Sequence, residues 1–140
     1  MSFPYVGEIR LFAGNFPPSG WAFCDGQLLS VAGNETLFQL IGTTYGGDGA
    51  ISFALPDLRG RVPIHIGQGA GLSPFDLAQR GGTETMGGVP TALPTGFGTQ
   101  RNLEVSVTAG KAQYLTTDSK RNALAISYII SLFGVFPSQN

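Results

Sequence analysis

The charged side chains whose spacing could do chemistry lie in one short segment, Asp57-Leu58-Arg59-Gly60-Arg61. Alternate side chains of an extended chain point to the same side, so Asp57, Arg59 and Arg61 share a side and an Asp–Arg ion pair can form. Two guanidinium groups placed in this way could bind an anion or an acidic sugar. They could instead hydrogen-bond backbone carbonyls in a fold with few regular strands, and this structural role is the favoured interpretation.

The single histidine and the single cysteine lack the neighbours that catalysis requires. A histidine base needs an orienting carboxylate and a nucleophile, and no pattern around His65 marks either group. No basic residue near Cys24 in the sequence would lower the pKa of its thiol, so we expect a buried, unreactive side chain. One histidine and one cysteine cannot form a multi-histidine metal site or an internal disulfide.

Two glycine-rich segments resemble ligand-binding loops only in part. A phosphate-binding loop opens a helix and is followed by a lysine, whereas residues 67–71 are followed by Pro74 and no nearby lysine. Asp48 is the sole carboxylate of residues 46–49, too few oxygen ligands for calcium, and a turn is favoured. No Gly-x-Ser-x-Gly motif occurs, and nothing singles out a catalytic pair among the nine acidic residues. The sequence therefore predicts a protein that is not an enzyme and has no cofactor and no metal.

The composition excludes several kinds of partner. A chain of 140 residues is the size of one domain, and 42% hydrophobic residues argue against disorder. A net charge of −1 with 12% charged residues argues against nucleic acid and against an anionic membrane surface. Residues 1–8 lack the features of a signal peptide, and the apolar residues 124–136 are too few to span a membrane. We expect cytoplasmic synthesis without a classical signal peptide and no membrane insertion.

The pattern of apolar residues predicts short strands. Apolar and polar residues alternate, as in a strand, at 8–11, 51–55, 62–66 and 103–109, and Pro63 within the third of these runs indicates a sheet edge. Residues 21–29 are predicted to form a hairpin, because Asp25-Gly26 suits a two-residue turn. Residues 124–136 are nearly all apolar, which fits a strand buried on both faces or a buried helix.

One short helix is predicted near residues 34–42. Asn34 can cap its first turn, and Gly42 suits the position just after its last residue. Between them, Leu37, Phe38 and Ile41 fall on one side of a 3.6-residue period. The predicted fold class is mainly β, a compact single domain of short strands and irregular loops with this one helix.

Taken in order along the chain, a set of short motifs resembles the phage tail collar family, whose members include the microcystin-dependent proteins. The matching segments are Gly7-Glu8-Ile9, Pro18-Ser19-Gly20-Trp21, Cys24-Asp25-Gly26, residues 37–49, residues 53–61, Gly67-Gln68-Gly69, Gly81-Gly82-Thr83-Glu84, Tyr128-Ile129-Ile130, Gly134 and Phe136-Pro137. The resemblance implies one tail-collar-like domain over residues 1–140. Its family-like core is 6–84, followed by a divergent glycine-rich insert and strand over 85–123 and a buried C-terminal segment over 124–140.

The resemblance also implies a non-enzymatic domain of tail fibres and related surface assemblies, often trimeric. Family members commonly carry a His-x-His pair after the Gly-Gly-x-Glu block, and in fibre tips such histidines can hold a metal between chains. Residues 86–91 contain no histidine. A trimer locked by metal is therefore not expected.

Two functional hypotheses follow, and the first is a structural subunit that assembles with copies of itself or with other tail and fibre proteins on a virion or cell surface. The residues expected at its subunit contacts are apolar: Leu103, Val105, Val107, Ile130, Phe133 and Phe136. The alternative is a module that binds cell-surface glycans through aromatic stacking faces and guanidinium groups. Its candidate residues are Trp21, Tyr45, Phe97, Arg59 and Arg61.

Overall fold

The computed structural model describes residues 2–82, 103–108, 111–116 and 124–139, with the backbone alone for 103–108 and 111–116. The chain divides into two compact units, Met1–Gln79 with Ala125–Asn140 and Arg80–Leu124. Strands predominate and the described residues contain one short helix, so the predicted fold class is confirmed. That helix is too short to cross a membrane. The prediction of a single domain stays a prediction.

The first unit contains a three-stranded antiparallel sheet built around a strand from the C-terminal part of the chain. Its order is β1 (Ile9–Phe12), β7 (Ser127–Ser131) and β2 (Trp21–Phe23). In the register Ile9 and Ala22 both lie opposite Ile130, which is 1% exposed. The apolar segment predicted at 124–136 is therefore a central strand over its middle five residues, whereas Leu124 and Phe133 are exposed.

A second, two-stranded sheet pairs β3 (Leu28–Ser30) with β4 (Ser52–Ala54). The predicted hairpin over residues 21–29 is therefore wrong, because its two halves belong to different sheets. Asp25 and Gly26 join those sheets instead: Asp25 forms an isolated bridge with Asp57, and the Gly26 N–H donates to the Pro56 carbonyl at 3.2 Å. The predicted two-residue turn does not form at these residues, and their sequence does not determine which strands the flanking segments pair with.

The predicted helix is α1 (Glu35–Ile41), and it packs Leu37 into the core with no exposed surface. Phe38 meets Phe53 of β4 with ring centroids 5.4 Å apart. Gly42 ends the helix as expected, with a φ of 54° and its N–H donating to the Phe38 carbonyl at 2.7 Å. The expected cap is wrong, because the Asn34 side chain makes no capping hydrogen bond and donates instead to the Ser30 carbonyl at 3.0 Å.

The core of the first unit is small. Its buried hydrophobic residues come from both sheets, the helix and the N-terminal segment: Val6, Ala22, Cys24, Leu37, Phe53, Ala54, Leu55, Ile129 and Ile130. The strand predicted at Ile9 and Leu11 forms, but these residues are 40% and 62% exposed. Because β1 lies at an edge of the sheet, these two side chains have a neighbouring strand on one side alone.

Residues 62–66 were predicted to form a strand and do not. Residues 61–65 lie in no helix, strand, turn or bend, and every residue from 61 to 70 is exposed. The segment ends at a closed loop, in which Gly67 and Phe75 exchange two backbone hydrogen bonds of 2.8 and 2.9 Å. An extended segment with apolar residues therefore leaves the core without a pairing strand among the described residues.

The second unit contains an antiparallel pair, β5 (Leu103–Thr108) and β6 (Lys111–Thr116). The strand predicted at 103–109 is confirmed, and it pairs within the chain, with Leu103 opposite Thr116 and Thr108 opposite Lys111. The sequence analysis did not anticipate β6. The segment 111–116 alternates less clearly than 103–108, because Lys111 and Gln113 flank Ala112 rather than a large apolar residue.

Candidate functional site

Asp57, Arg59 and Arg61 lie together at a turn, and we call them the Asp57 cluster. Asp57 and Arg59 form an ion pair. The Arg59 guanidinium donates to both oxygens of Asp57, from Nε to Oδ1 at 2.8 Å and from Nη2 to Oδ2 at 2.9 Å. The Arg59 backbone N–H donates to Oδ1 as well, at 3.2 Å. The hydrogen bonds from the Arg59 side chain hold the pKa of Asp57 well below its usual range. The predicted ion pair is confirmed.

Arg61 takes the structural role that the sequence analysis favoured for these arginines. Its Nε donates to the backbone carbonyl of Asp57 at 3.2 Å, and the Leu58 N–H donates to the Cys24 carbonyl at 2.9 Å. Together with the Asp25–Asp57 bridge, these bonds fasten the 57–61 turn to the strand that ends at Phe23. The cluster holds irregular backbone in place, and its two guanidinium groups already have acceptors within the chain.

The Trp21 ring, a candidate stacking face for a sugar, is already next to a cation. Residues at paired register positions share a sheet face, and Arg10 and Trp21 lie on adjacent rows of the face that also carries Ile129. The Arg10 guanidinium carbon lies 5.2 Å from the centre of the Trp21 ring. Glu8 accepts from Arg10 Nε at 2.6 Å and from the Tyr5 N–H at 3.0 Å, and these bonds, Arg10 first, lower the pKa of Glu8.

The other glycan candidates do not join this arrangement in the described residues. Tyr45 follows α1 and is half-buried, and burial followed by the nearby Cys24 raises the pKa of its hydroxyl. Phe97 lies outside the described residues. The described glycan candidates therefore lie in three places: Trp21 in β2, Tyr45 after α1, and Arg59 and Arg61 in the 57–61 turn. Of these, Arg59 and Arg61 share a hydrogen-bond partner, Asp57.

The residues predicted at subunit contacts differ in their availability. Ile130 is buried in the core, so its side chain is not available to another copy and that assignment is corrected. Phe133 and Phe136 are 58% and 39% exposed, as a contact requires. Leu103, Val105 and Val107 occupy alternate positions of β5, opposite Thr116, Tyr114 and Ala112 of β6.

The two ends of the first unit pair with each other and display apolar side chains. Tyr5 and Val135 form a parallel bridge, with the Val6 N–H donating to the Val135 carbonyl and the Val135 N–H to the Pro4 carbonyl, both at 2.9 Å. Only Val6 of these segments is buried. We call the exposed apolar residues of the two paired ends the end patch: Phe3, Tyr5, Phe133, Val135 and Phe136.

The apolar surface extends further than the sequence patterns indicated. Eighteen large hydrophobic side chains are exposed among the described residues, against nine hydrophobic residues in the core. Besides the end patch, they include a group that follows the 57–61 turn: Val62, Ile64, Ile66, Leu72 and Leu77. The low content of charged residues indicated such a surface, because a chain with few charged residues must expose more apolar side chains.

The remaining candidate groups have structural roles. The predicted burial of Cys24 is confirmed, and this burial, followed by the nearby Asp25, raises the pKa of its thiol to about 12. Asp48 accepts the backbone N–H groups of Ala50, Ile51 and Ser52 at 2.9 to 3.0 Å, which makes it the centre of a turn and lowers its pKa. Among the described residues no group of three or more potential metal ligands occurs.

Comparison with known families finds a similarity, and it lies in residues 7–63. No curated protein shows significant similarity to this sequence. A family model, the Phage Tail Collar Domain, matches residues 7–63, a range that includes both strands of the second sheet, the helix and the Asp57 cluster. The motifs noted beyond residue 63 lie outside the match. The match supports the suspected family over residues 7–63.

Proposed function

We propose that this protein is a non-enzymatic structural subunit that assembles with copies of itself into a tail, fibre or filament-like structure. The collar domain is a structural domain of phage tails, which supports a virion-associated structural role. The observation that carries self-assembly is the exposed apolar surface. Isolated exposed hydrophobic residues are normal, but a monomer whose described residues expose eighteen large ones, against nine hydrophobic residues of any size in its core, has surface for partners.

The end patch is the strongest single part of that surface. Its backbone is fixed by the hydrogen bonds between Pro4, Val6 and Val135, so its aromatic side chains are presented on an ordered support. Aromatic residues on a rigid support are typical anchors of protein interfaces, because little conformational entropy is lost when they are buried. Glu8 and Arg10 neutralise each other beside it, which leaves the neighbouring surface without a strong net charge.

The oligomeric state of the purified chain tests the proposal. We expect light scattering after size exclusion to give a discrete oligomer or a polymer, and electron micrographs to show its shape. Phe133→Glu should weaken the association by about tenfold or more, since a buried aromatic side chain contributes on the order of 2 kcal/mol. Ser19→Glu is the matched control. It adds the same charge next to Gly20, where a Cβ would lie 3.7 Å from Phe133 Cδ2, and it removes no apolar surface. A monomer at high concentration would refute self-assembly.

Glycan binding stays a prediction of the sequence, with a separate test. The candidate groups already have partners within the chain. Asp57 accepts hydrogen bonds from Arg59 and Arg61, and the Arg10 guanidinium lies over the Trp21 ring. Saturable binding on a glycan array that Arg59→Ala weakens, with the oligomer intact, would establish it. An array without binding would leave the structural role alone.

A further inference from the structure

Residues 62–66 have the sequence of a strand and no strand partner among the described residues. Apolar residues alternate through Val62-Pro63-Ile64-His65-Ile66, and the backbone runs without helix, turn or bend from 61 to 65 and bends at Ile66. Val62, Ile64 and Ile66 are 81%, 65% and 49% exposed. Within the described part of the chain, none of their backbone N–H groups donates to another backbone group. Extended backbone with free donors and an apolar stripe is what an added strand pairs with.

The two edges of this segment are not equivalent. In an extended chain, the N–H and C=O groups of alternate residues point to the same edge. Among the described residues, the edge of Val62, Ile64 and Ile66 keeps all its N–H donors, and on this edge the Ile66 carbonyl lies 2.7 Å from His65 Nδ1. The opposite edge has lost one at Pro63, and the Arg61 N–H on that side already donates to the Leu58 carbonyl at 3.1 Å. The segment can therefore accept a strand on one edge only.

The segment is complementary to itself when two copies run antiparallel. With Ile64 opposite Ile64 of a second copy, Val62 lies opposite Ile66 and Pro63 opposite His65. The pairs formed by Val62, Ile64 and Ile66 are then the hydrogen-bonded ones, and Pro63 falls in a pair that needs no N–H. We propose that residues 62–66 pair with the same residues of a second copy of this chain, as an antiparallel intermolecular β-ladder centred on Ile64.

Charge and shape favour this partner and this direction. Residues 62–75 contain no Asp, Glu, Lys or Arg, so two copies approach without like-charge repulsion. An antiparallel ladder places Arg61 opposite Gly67, whereas a parallel one would place Arg61 beside Arg61. An open apolar pocket of about 670 Å³ is lined by Ile64, Ile66, Leu72 and Phe75. Val62 of the second copy, opposite Ile66, is positioned to fill it.

The ladder is one contact within the proposed assembly and depends on it. Two strands alone are marginally stable in water, and stable interfaces bury about 800 Å² on each partner, so the pocket and further contacts must contribute. Because the Pro63 edge cannot add a third strand, the ladder joins copies two by two. A twofold contact of this kind needs a second, different interface, such as the end patch, to extend into a fibre.

Proline substitutions at neighbouring residues test which edge of residues 62–66 pairs with the second copy. Ile64→Pro removes the central donor, which has no backbone acceptor within the described chain, so the subunit should fold as before. We expect the association between copies to weaken by about thirtyfold, the effect of two lost hydrogen bonds at the ladder centre. His65→Pro, one residue later, removes a donor on the opposite edge and should leave the association unchanged. Circular dichroism and sedimentation of both variants provide the comparison.

Crosslinking tests the register. Residues in a hydrogen-bonded antiparallel pair have Cα atoms about 5.5 Å apart, which is within the range of a disulfide. Ile64→Cys should therefore give a disulfide-linked dimer on mild oxidation, whereas Val62→Cys, which faces Ile66, should not. The native Cys24 is buried and does not compete. An oligomer that neither Ile64→Pro weakens nor Ile64→Cys crosslinks would overturn the ladder and leave self-assembly intact, and a monomeric wild type would overturn both.

Discussion

Val6 and Val135 join the two ends of the first unit: the Val6 N–H donates to the Val135 carbonyl at 2.9 Å, although 128 residues separate them in the sequence. Val6 is the buried member of the pair, at 1% exposed, whereas Val135 is 49% exposed. The bond therefore attaches the C-terminal segment to a residue fixed in the core. The rigidity of the end patch depends on this hydrogen bond. A substitution at Gly134, next to Val135, therefore tests the attachment.

Gly134→Ala should detach the ends. Gly134 has a φ of 142°, and a Cβ there would collide with the backbone carbonyl of Pro4, which accepts from Val135. Because neither backbone can move without breaking that bond, we expect a loss of at least about 3 kcal/mol in the free energy of unfolding. Urea denaturation at low protein concentration, where assembly does not contribute, measures it.

Gly33→Ala is the control for backbone strain alone. Gly33 also has a positive φ, of 90°, but a Cβ there would have no neighbour within 4 Å. It should cost about 1–2 kcal/mol. Equal losses in the two variants would show that the contact with Pro4 does not matter.

Local features of the fold were readable from the sequence, and pairings between distant segments were not. The helix at 35–41 follows from apolar residues three and four apart and a glycine after them, all within eight residues. The Arg59–Asp57 pair was foreseeable because the two residues are two positions apart in an extended segment. In contrast, the strand Trp21–Phe23 pairs with the strand Ser127–Ser131, over a hundred residues later in the sequence. An alternating pattern predicts a strand but does not indicate which other strand it pairs with.

The same distinction explains what was predicted of the candidate site. The alternation at Val62–Ile66 predicted a strand, and no strand forms there among the described residues, because alternation does not supply a neighbouring strand to pair with. Ile130 and Phe133 have the same apolar character, yet one is in the core and the other is exposed. Burial depends on which elements pack on each side, and composition alone does not supply that.

Leu37 should dominate the stability of the small core. It is fully buried, and the helix that carries it is too short to form without packing. Leu37→Ala removes three buried carbon atoms and leaves a cavity, so we expect a loss of about 3 kcal/mol in urea denaturation. Leu40→Ala, in the same helix at 38% exposed, should cost about 1 kcal/mol or less. Similar losses for the two would contradict the burial of Leu37.

Cys24 should react with a thiol reagent at the rate at which the protein opens. Its side chain is buried and its pKa is raised to about 12, chiefly by that burial, so little thiolate exists in the folded state near neutral pH. We expect almost no reaction at pH 8 in the native protein and rapid reaction in urea. Leu37→Ala should accelerate the native reaction, because a less stable core opens more often. Fast labelling of the native wild type would show an accessible thiol.

Acid should destabilise the first unit through the carboxylates of Asp48 and Asp57. Both have pKa values lowered by hydrogen bonds, from the Arg59 side chain in Asp57 and from three backbone N–H groups in Asp48. Since the unfolded chain takes up protons first, their contribution is complete above a pH of about 4 and is lost as the pH falls towards the folded pKa values. The urea midpoint should therefore fall steadily below pH 4.

Asp57→Asn isolates one of these two groups. The variant should be less stable than the wild type at pH 7, because the Arg59 guanidinium loses its charged acceptor. The difference should shrink as the pH falls from 4 towards 2, since the unfolded wild type takes up a proton at Asp57 before the folded protein does. Urea midpoints of both proteins between pH 7 and pH 2 measure this convergence. A difference that stays constant over that range would mean that the ionised form of Asp57 does not contribute to folding.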